Sequence, residues 1–448
     1  MQWSDIDLST AGAPRVTVPR DYNAAADLIA VIARHAQQQA DALYLVGGVV
    51  RDLLLKRPNL DMDFVVEHDA IAFASSLRDT FGGEISPYAP FRTAKWRLTE
   101  AIAQQLGFNK DDLPEHVDFA TARYEFYTHP TALPTVYNSS IKLDLHRRDF
   151  TINTLAVQLS PAALHGRLLD FYGGLDDLKA GRIRVLHSLS FIDDPTRILR
   201  AVRFEQRLGF HIEPRTAELI TTAFPMLKRI TGERLRNELN LLIREARPEK
   251  GLLALQARGI LKAIHPAFVV DPQVDAHFER VRDPATAWPA PISDRLALYW
   301  HIALSVVPAN DLAGLCERLL INKQTAHSLV DAASLRQQPG EAGIAGALPS
   351  QVTTRLETHS ELALLAVWLV TESTTLHNHI THYLTAWRHI TPVLDGNALR
   401  AMGLPPGPQY GHILNQLRAG RLDGTLNSDD DERALAEELI REARHDSP

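Results

Sequence analysis

The sequence predicts an α+β protein, with a head of mixed strands and helices followed by a long all-helical body. Three observations carry this. The apolar run Ala42-Leu43-Tyr44-Leu45-Val46 is broken by Gly47-Gly48, and Val49 to Leu55 returns to helical spacing, giving strand, glycine turn and helix. Leu60 to Glu67 and Val117 to Arg123 read as further strands, the first with β-branched Val65 and Val66. After about residue 175 helical periodicity dominates to the end, punctuated by Pro195, Pro214, Pro225, Pro248 and Pro266, and no clear strand run recurs.

The elements follow in order. Residues 1–22, with Pro14 and Pro19 and little apolar periodicity, read as an extension. Residues 23–39 have apolar positions at helical spacing and open a head over 23–160. Within it, residues 128–146 hold Pro130, Pro134 and Ser139-Ser140 and read as a loop. A helical neck over 161–245, a helical body over 246–390 and a tail over 391–448 complete the chain. Leu399 to Tyr410 is a Gly/Pro turn between two helices, and residues 427–433 start the last helix with carboxylates near its N-terminus, where the dipole favours them.

With 448 residues, 45% hydrophobic and 23% charged, the chain has the composition of a globular protein of several domains. A net charge of −7 argues against a general nucleic-acid coating protein but leaves room for a local basic groove. The single cysteine, Cys316, excludes an internal disulfide and reads as a core residue. The N-terminus lacks a basic start followed by an apolar stretch, and the most apolar helix-like run, Leu362 to Val370, is far shorter than the ~20 residues a membrane span needs. A cytoplasmic location without membrane contact is the expectation.

Asp61 and Asp63 stand two apart in a predicted strand, and period two puts both side chains on one face. Carboxylates that close repel unless a cation lies between them, and a pair of Mg²⁺ ions would resolve the repulsion while clamping the oxygens of an in-line displacement. The nearby Gly47-Gly48 turn offers free N–H groups at a helix start to a phosphate, and Arg51, one turn on, is within reach of the same anion. Metal pair and phosphate cradle together point to nucleotidyl transfer.

Leu45-Val46-Gly47-Gly48-Val49-Val50-Arg51-Asp52 followed by Asp61-x-Asp63 resembles the signature of class II tRNA nucleotidyltransferases and bacterial poly(A) polymerases. The resemblance implies a polymerase β-type nucleotidyltransferase head, Asp61 and Asp63 as metal ligands, and a third acidic position at Asp118. It implies that Arg147-Arg148-Asp149-Phe150-Thr151-Ile152-Asn153 holds ribose and triphosphate, with Arg148 and Asp149 in the nucleotide site. It also implies that Asp194 and Arg197, in Asp193-Asp194-Pro195-Thr196-Arg197, read the Watson–Crick edge of the incoming base, with Asp193 where the family usually has Glu. Cytosine and adenine each present an amino donor beside a ring-nitrogen acceptor, which a carboxylate and a guanidinium match. Asp194-Pro195 also suits a helix start. Arg197, Arg200, Arg203 and Arg207 fall within about a third of the helix circumference, a basic stripe suited to phosphates. Thr231 to Leu239 resembles the family's helix that supports this pocket.

Within the group, the resemblance implies CCA addition to tRNA from CTP and ATP; A-only or CC-only addition, poly(A) synthesis, or an RNA-binding protein with an inactive head are the alternatives. Phe126 to Pro134, then Ser139-Ser140-Ile141, is similar to the flexible loop of CCA-adding enzymes, and the acidic run Asp429 to Glu432 is unlike the basic tail of the poly(A) polymerases. Leu399 to Leu422 resembles a tail module in which Arg418 and Arg421 would touch the tRNA elbow. His377, His379 and His382 lie at spacings that do not share a helix face, and His68-Asp69 sits inside the head; neither is read as a metal site.

Overall fold

A computed structural model describes residues 23–126, 135–337 and 346–445. These divide into two compact units, one running to Ile230 and the other starting at Thr231.

The first unit opens with α1 (Asn23–Gln39), β1 (Leu43–Val46), α2 (Gly48–Leu54), β2 (Asp63–Val66), α3 (Ala70–Phe81), β3 (Glu84–Tyr88), β4 (Thr93–Arg97), α4 (Glu100–Leu106) and β5 (His116–Thr121). It continues through β6 (Arg123–Phe126), β7 (Thr135–Asn138), α5 (Ile141–His146), β8 (Ala156–Ser160) and β9 (Arg167–Leu169). Then come α6 (Gly174–Lys179), β10 (Arg182–Ile183), α7 (Ser190–Asp193), α8 (Thr196–Leu208), β11 (His211–Ile212), α9 (Pro214–Thr222) and α10 (Phe224–Leu227). Seven strands form one mixed sheet in the order β3-β4-β5-β2-β1-β8-β9, in which β2 and β5 run parallel and the other neighbours antiparallel.

Period-two alternation divides the functions of the two central strands. Phe64 on β2 and Phe119 on β5 stack at 5.3 Å, and Phe73 of α3 meets Phe119 edge-on at 5.4 Å, so this face belongs to the core. Asp63 and Asp118 point from the opposite face. Further along that face Val65 and Ala122 pack with Tyr44, Val46, Ala156 and, from α5, Ile141 and Leu145. The apolar cluster thus covers one end of this face, and the carboxylates lie at the other, partly exposed.

Two elements differ from the sequence reading. The 128–146 loop contains β7 and α5: β7 pairs with β6 in a two-stranded ribbon, and α5 begins where the Ile141 N–H donates to Glu67 Oε1 at 3.0 Å. Residues 127–134 of the expected flexible loop lie outside the described residues. Strands also recur after residue 175, because β10 and β11 form a parallel pair of two residues each, too short to leave a period.

Thr231 caps α11 (Gly232–Ile243) by accepting from the Arg234 N–H, and the second unit is helical throughout its described residues. Cys316 is buried in its core. His377 stacks on Trp368 at 4.8 Å and His382 on Trp387 at 5.3 Å, so these imidazoles serve aromatic packing. In the last two helices, Gln409–Leu422 and Asp429–His445, Arg418 donates to Glu357 at 2.9 Å and Arg421 to Asp429 at 2.8 Å and to the buried Glu432. Both guanidinium groups are thus ion-paired within the helical unit and remain partly exposed. Among the described residues no helix is long and apolar enough to cross a membrane.

Candidate active site

The parallel register sets Asp63 directly opposite Asp118, although they lie far apart in sequence. Asp61, just before β2, completes the cluster: one carboxylate oxygen from each of Asp61, Asp63 and Asp118 lies within 4.8 Å of the others. Such a set of hard oxygen donors can hold a divalent cation. Burial pushes the Asp63 carboxyl up to about 6; Arg148 and Lys95 oppose this and the charges of Asp61 and Asp118 add to it. A carboxylate so crowded is the expected electrostatic signature of a cation site.

Two groups beside Asp118 were not legible in the sequence. Lys95 on β4 is its cross-strand partner, with Nζ 3.2 Å from Asp118 Oδ1, and His116 Nε2 is 3.2 Å from Asp118 Oδ2. Lys95 becomes a neighbour only through the β4–β5 register.

The glycine turn lies over this cluster. Gly47 caps α2 at φ +77°, a conformation that favours glycine, and a Cβ there would come 2.7 Å from Arg148 Nη1. At Gly48 a Cβ would meet no protein atom nearer than 3.6 Å. Arg148 Nη2 donates to Asp144 Oδ2 at 3.3 Å, while its buried Nε has no acceptor among the described residues. Asp144 was missed, although its spacing of three and four from Arg147 and Arg148 is a readable helical signal. It is fully buried, and its carboxyl is held below the usual range: burial pushes it up, but Arg147 and Arg148 outweigh that.

Arg51 corrects an expectation. It is 2% exposed, with Nε and Nη2 each 2.8 Å from Asp52 and Nη1 2.7 Å from Asn153 Oδ1. The guanidinium is a buried strut between α2 and the Arg147–Asn153 segment, because the buried Asp52 needs a cation. Asp149 is likewise occupied. It accepts from Arg200 Nε at 2.8 Å, Asn153 Nδ2 at 2.9 Å and the Phe150 N–H at 2.9 Å. Burial raises its carboxyl, but Arg200 and then Asn153 bring it down to about 2.

The stripe on α8 is therefore not an open phosphate track. Arg200 sits on Asp149, Arg203 is buried, and Arg207 approaches Asp52 at 3.9 Å. Arg197, also buried, donates to the Arg147 carbonyl at 2.7 Å and to Ser190 Oγ at 3.1 Å. These contacts anchor α8 to the arginine motif. Asp194 Oδ1 accepts from the Thr196 N–H at 3.1 Å and from its hydroxyl at 2.6 Å, which fixes the carboxylate at the start of α8. A cavity beside it is lined by Tyr124, Leu143, His146, Arg147, His187, Asp193 and Arg197, so aromatic rings meet a carboxylate and two guanidinium groups. The pair His68-Asp69 has a structural task, since Asp69 caps α3 by accepting from the Ile71 and Ala72 N–H groups.

Residues 43–184 match the Poly A polymerase head domain, and residues 209–270 match the probable RNA- and SrmB-binding site of polymerase A. An A-adding tRNA nucleotidyltransferase from Halalkalibacterium halodurans is 31% identical over 412 residues, covering 89% of this chain and 88% of the relative. The chain belongs to the tRNA nucleotidyltransferase family. Another member, the A-adding enzyme of Geobacter sulfurreducens, is 36% identical across 90% of this chain; the chain spans 45% of that relative's length. A solved CCA-adding enzyme without ligand shares the family fold with a TM-score of 0.76 and 31% identity, covering 96% of this chain and 97% of the other. The Thermotoga maritima CCA-adding enzyme complexed with tRNA has a TM-score of 0.70 at 30% identity, covering 96% and 97%.

Proposed function

We propose that this protein adds nucleotides to the 3′ end of tRNA, with CTP and ATP as substrates and pyrophosphate as the leaving group. The observation that carries this is the carboxylate triad at β2 and β5, directly beneath the glycine turn and Arg148. Terminal adenylate addition is the step common to relatives named A-adding and CCA-adding, and addition of A alone is one form of this reading. Addition of all three nucleotides is the second reading, favoured by the full-length similarity to solved CCA-adding enzymes.

The donor set fits Mg²⁺: three carboxylates converge, and Asp63 is crowded enough to need a cation. Asp61, Asp63 and Asp118 would hold it. Held there, Mg²⁺ would lower the pKa of the attacking hydroxyl and neutralise charge on the triphosphate. The chain's own residues do the positioning. Gly47 and Gly48 let the triphosphate approach the start of α2, and Arg148, with its buried Nε lacking an acceptor, faces the same space. The Asp149–Arg200 pair braces α8 against this wall, and Arg51 braces α2. Asp194, oriented by Thr196, and Arg197, oriented by Ser190 and the Arg147 carbonyl, read the base edge. A cytoplasmic setting fits these substrates.

The test uses tRNA transcripts that lack the whole CCA end and others that lack only the final A, each incubated with labelled CTP or ATP. Extension of both supports CCA addition, and extension of only the transcript ending in CC supports terminal adenylation. Extension of neither overturns the proposal.

A further inference from the structure

The two-stranded ribbon leads straight off β5, the strand that carries Asp118. Two of its rings are exposed. Tyr124 and Tyr137 are direct cross-strand partners, stacked at 5.1 Å with 16° between planes, yet they are 40% and 48% exposed. A second ring pair lies just before β4, where Tyr88 stacks on Phe91 at 5.6 Å and 24°, with Tyr88 54% exposed. Guanidinium groups join the two pairs. Arg123, next to Tyr124, sits over the Phe91 ring at 5.4 Å and donates to the Phe91 carbonyl; Arg92 donates to Asn138 at the end of β7. Tyr124 also forms one wall of the cavity that holds Arg147 and Arg197.

Exposed large rings at this density are unusual on a surface that nothing covers. Interleaved with cations, they have the composition of a stacking platform for unpaired bases, which tolerates any base because each has a π face. Asp118 and Tyr124 are six residues apart, which bounds their separation at about 20 Å by strand rise. The platform therefore lies within a few nucleotides' length of the carboxylates. The simpler explanation is that Tyr124 and Tyr137 only hold the ribbon together, since cross-strand aromatic pairs do this.

We infer that the Tyr124–Tyr137 pair, with Tyr88, Phe91, Arg92 and Arg123, is a stacking platform for the unpaired 3′-terminal nucleotides of the RNA substrate. The inference rests on the proposed function for the identity of that RNA.

The test is a coupling cycle between ring and base, read by binding. Labelled tRNA ending in CC is compared with the same tRNA whose last nucleotide is abasic, on wild type, Tyr124→Phe and Tyr124→Thr. The threonine keeps strand propensity, and circular dichroism melts verify folding. Stacking predicts about a 10-fold affinity loss for Tyr124→Thr on the intact end, a similar loss for wild type on the abasic end, and no further loss when both are combined. Tyr124→Phe should bind like wild type. Losses that multiply would assign the rings a structural role and overturn the platform. So would unchanged RNA affinity with weaker nucleotide binding, which would make Tyr124 a wall of the nucleotide pocket. Extension is measured in parallel: coupling without extension would overturn the proposed reaction and leave the platform standing, and extension without coupling would do the reverse.

Discussion

Asp63 and Asp118 face each other across the one parallel strand pair of the seven-stranded sheet, and Phe64 and Phe119, one residue on from each, stack on the reverse face. The register that buries the two rings is the register that brings the two carboxylates together. A slip of one residue would send the carboxylates into the core and the rings into solvent, so packing enforces the site's geometry.

The carboxylates should be expendable for folding and essential for reaction. Asp63→Asn and Asp118→Asn are expected to reduce incorporation roughly 10⁴-fold or more while leaving the circular dichroism spectrum unchanged. Full activity in either variant would sink the assignment.

The pH dependence follows from Asp63. Its carboxyl titrates near 6 in the folded chain against an ordinary value of 3.8. The folded state therefore holds its proton longer than the unfolded state, and metal-free stability falls as pH rises from about 4 to 6, by up to about 3 kcal/mol. Divalent cation reverses this by taking the proton's place. Thermal melts should show a larger stabilisation by Mg²⁺ at pH 7 than at pH 5, and chelator should abolish the difference.

Asp149 carries the opposite sign. Its carboxyl is held at about 2 by Arg200 and Asn153, so its contribution, about 2 kcal/mol, is present above pH 4 and lost as pH falls through 2. At neutral pH Asp149→Ala removes the acceptor shared by Arg200, Asn153 and the Phe150 N–H and should cost roughly 1–3 kcal/mol in urea unfolding.

Gly47 and Gly48 separate two reasons for glycine. Gly47→Ala meets both a positive φ and Arg148 Nη1 at 2.7 Å, and should lower kcat/KM about 100-fold through the displaced arginine. Gly48→Ala has room in the protein, so it should fold normally and lose nucleotide affinity only if a phosphate must approach that backbone. Calorimetric titration with CTP distinguishes the two.

Arg51 and Asp194 test the division between bracing and recognition. Arg51→Met should cost roughly 3–5 kcal/mol of stability by stranding buried Asp52, with nucleotide affinity of the folded fraction unchanged. Asp194→Asn keeps an oxygen for Thr196 but offers an amide donor to the base. It should lower ATP and CTP incorporation about 10- to 100-fold and raise the share of UTP and GTP in competition assays.

By itself the sequence determined the mixed head with its helical body, and the residues of local chemistry. Asp61 and Asp63 declare themselves by a spacing of two, the glycine turn by its place between an apolar run and a helix, and the arginine motif by its order. All are short-range patterns, set by strand and helix periods. The tertiary structure decided which charges remain available. Arg51 and Arg200 look alike in sequence with Arg148, yet contact with Asp52 and Asp149 makes them braces, while Arg148 lies against Gly47 and keeps a nitrogen without an acceptor among the described residues. Lys95 reached Asp118, and Tyr124 reached Tyr137, only through strand register. A charge's partner depends on contacts between residues distant in the chain, and no local period encodes those.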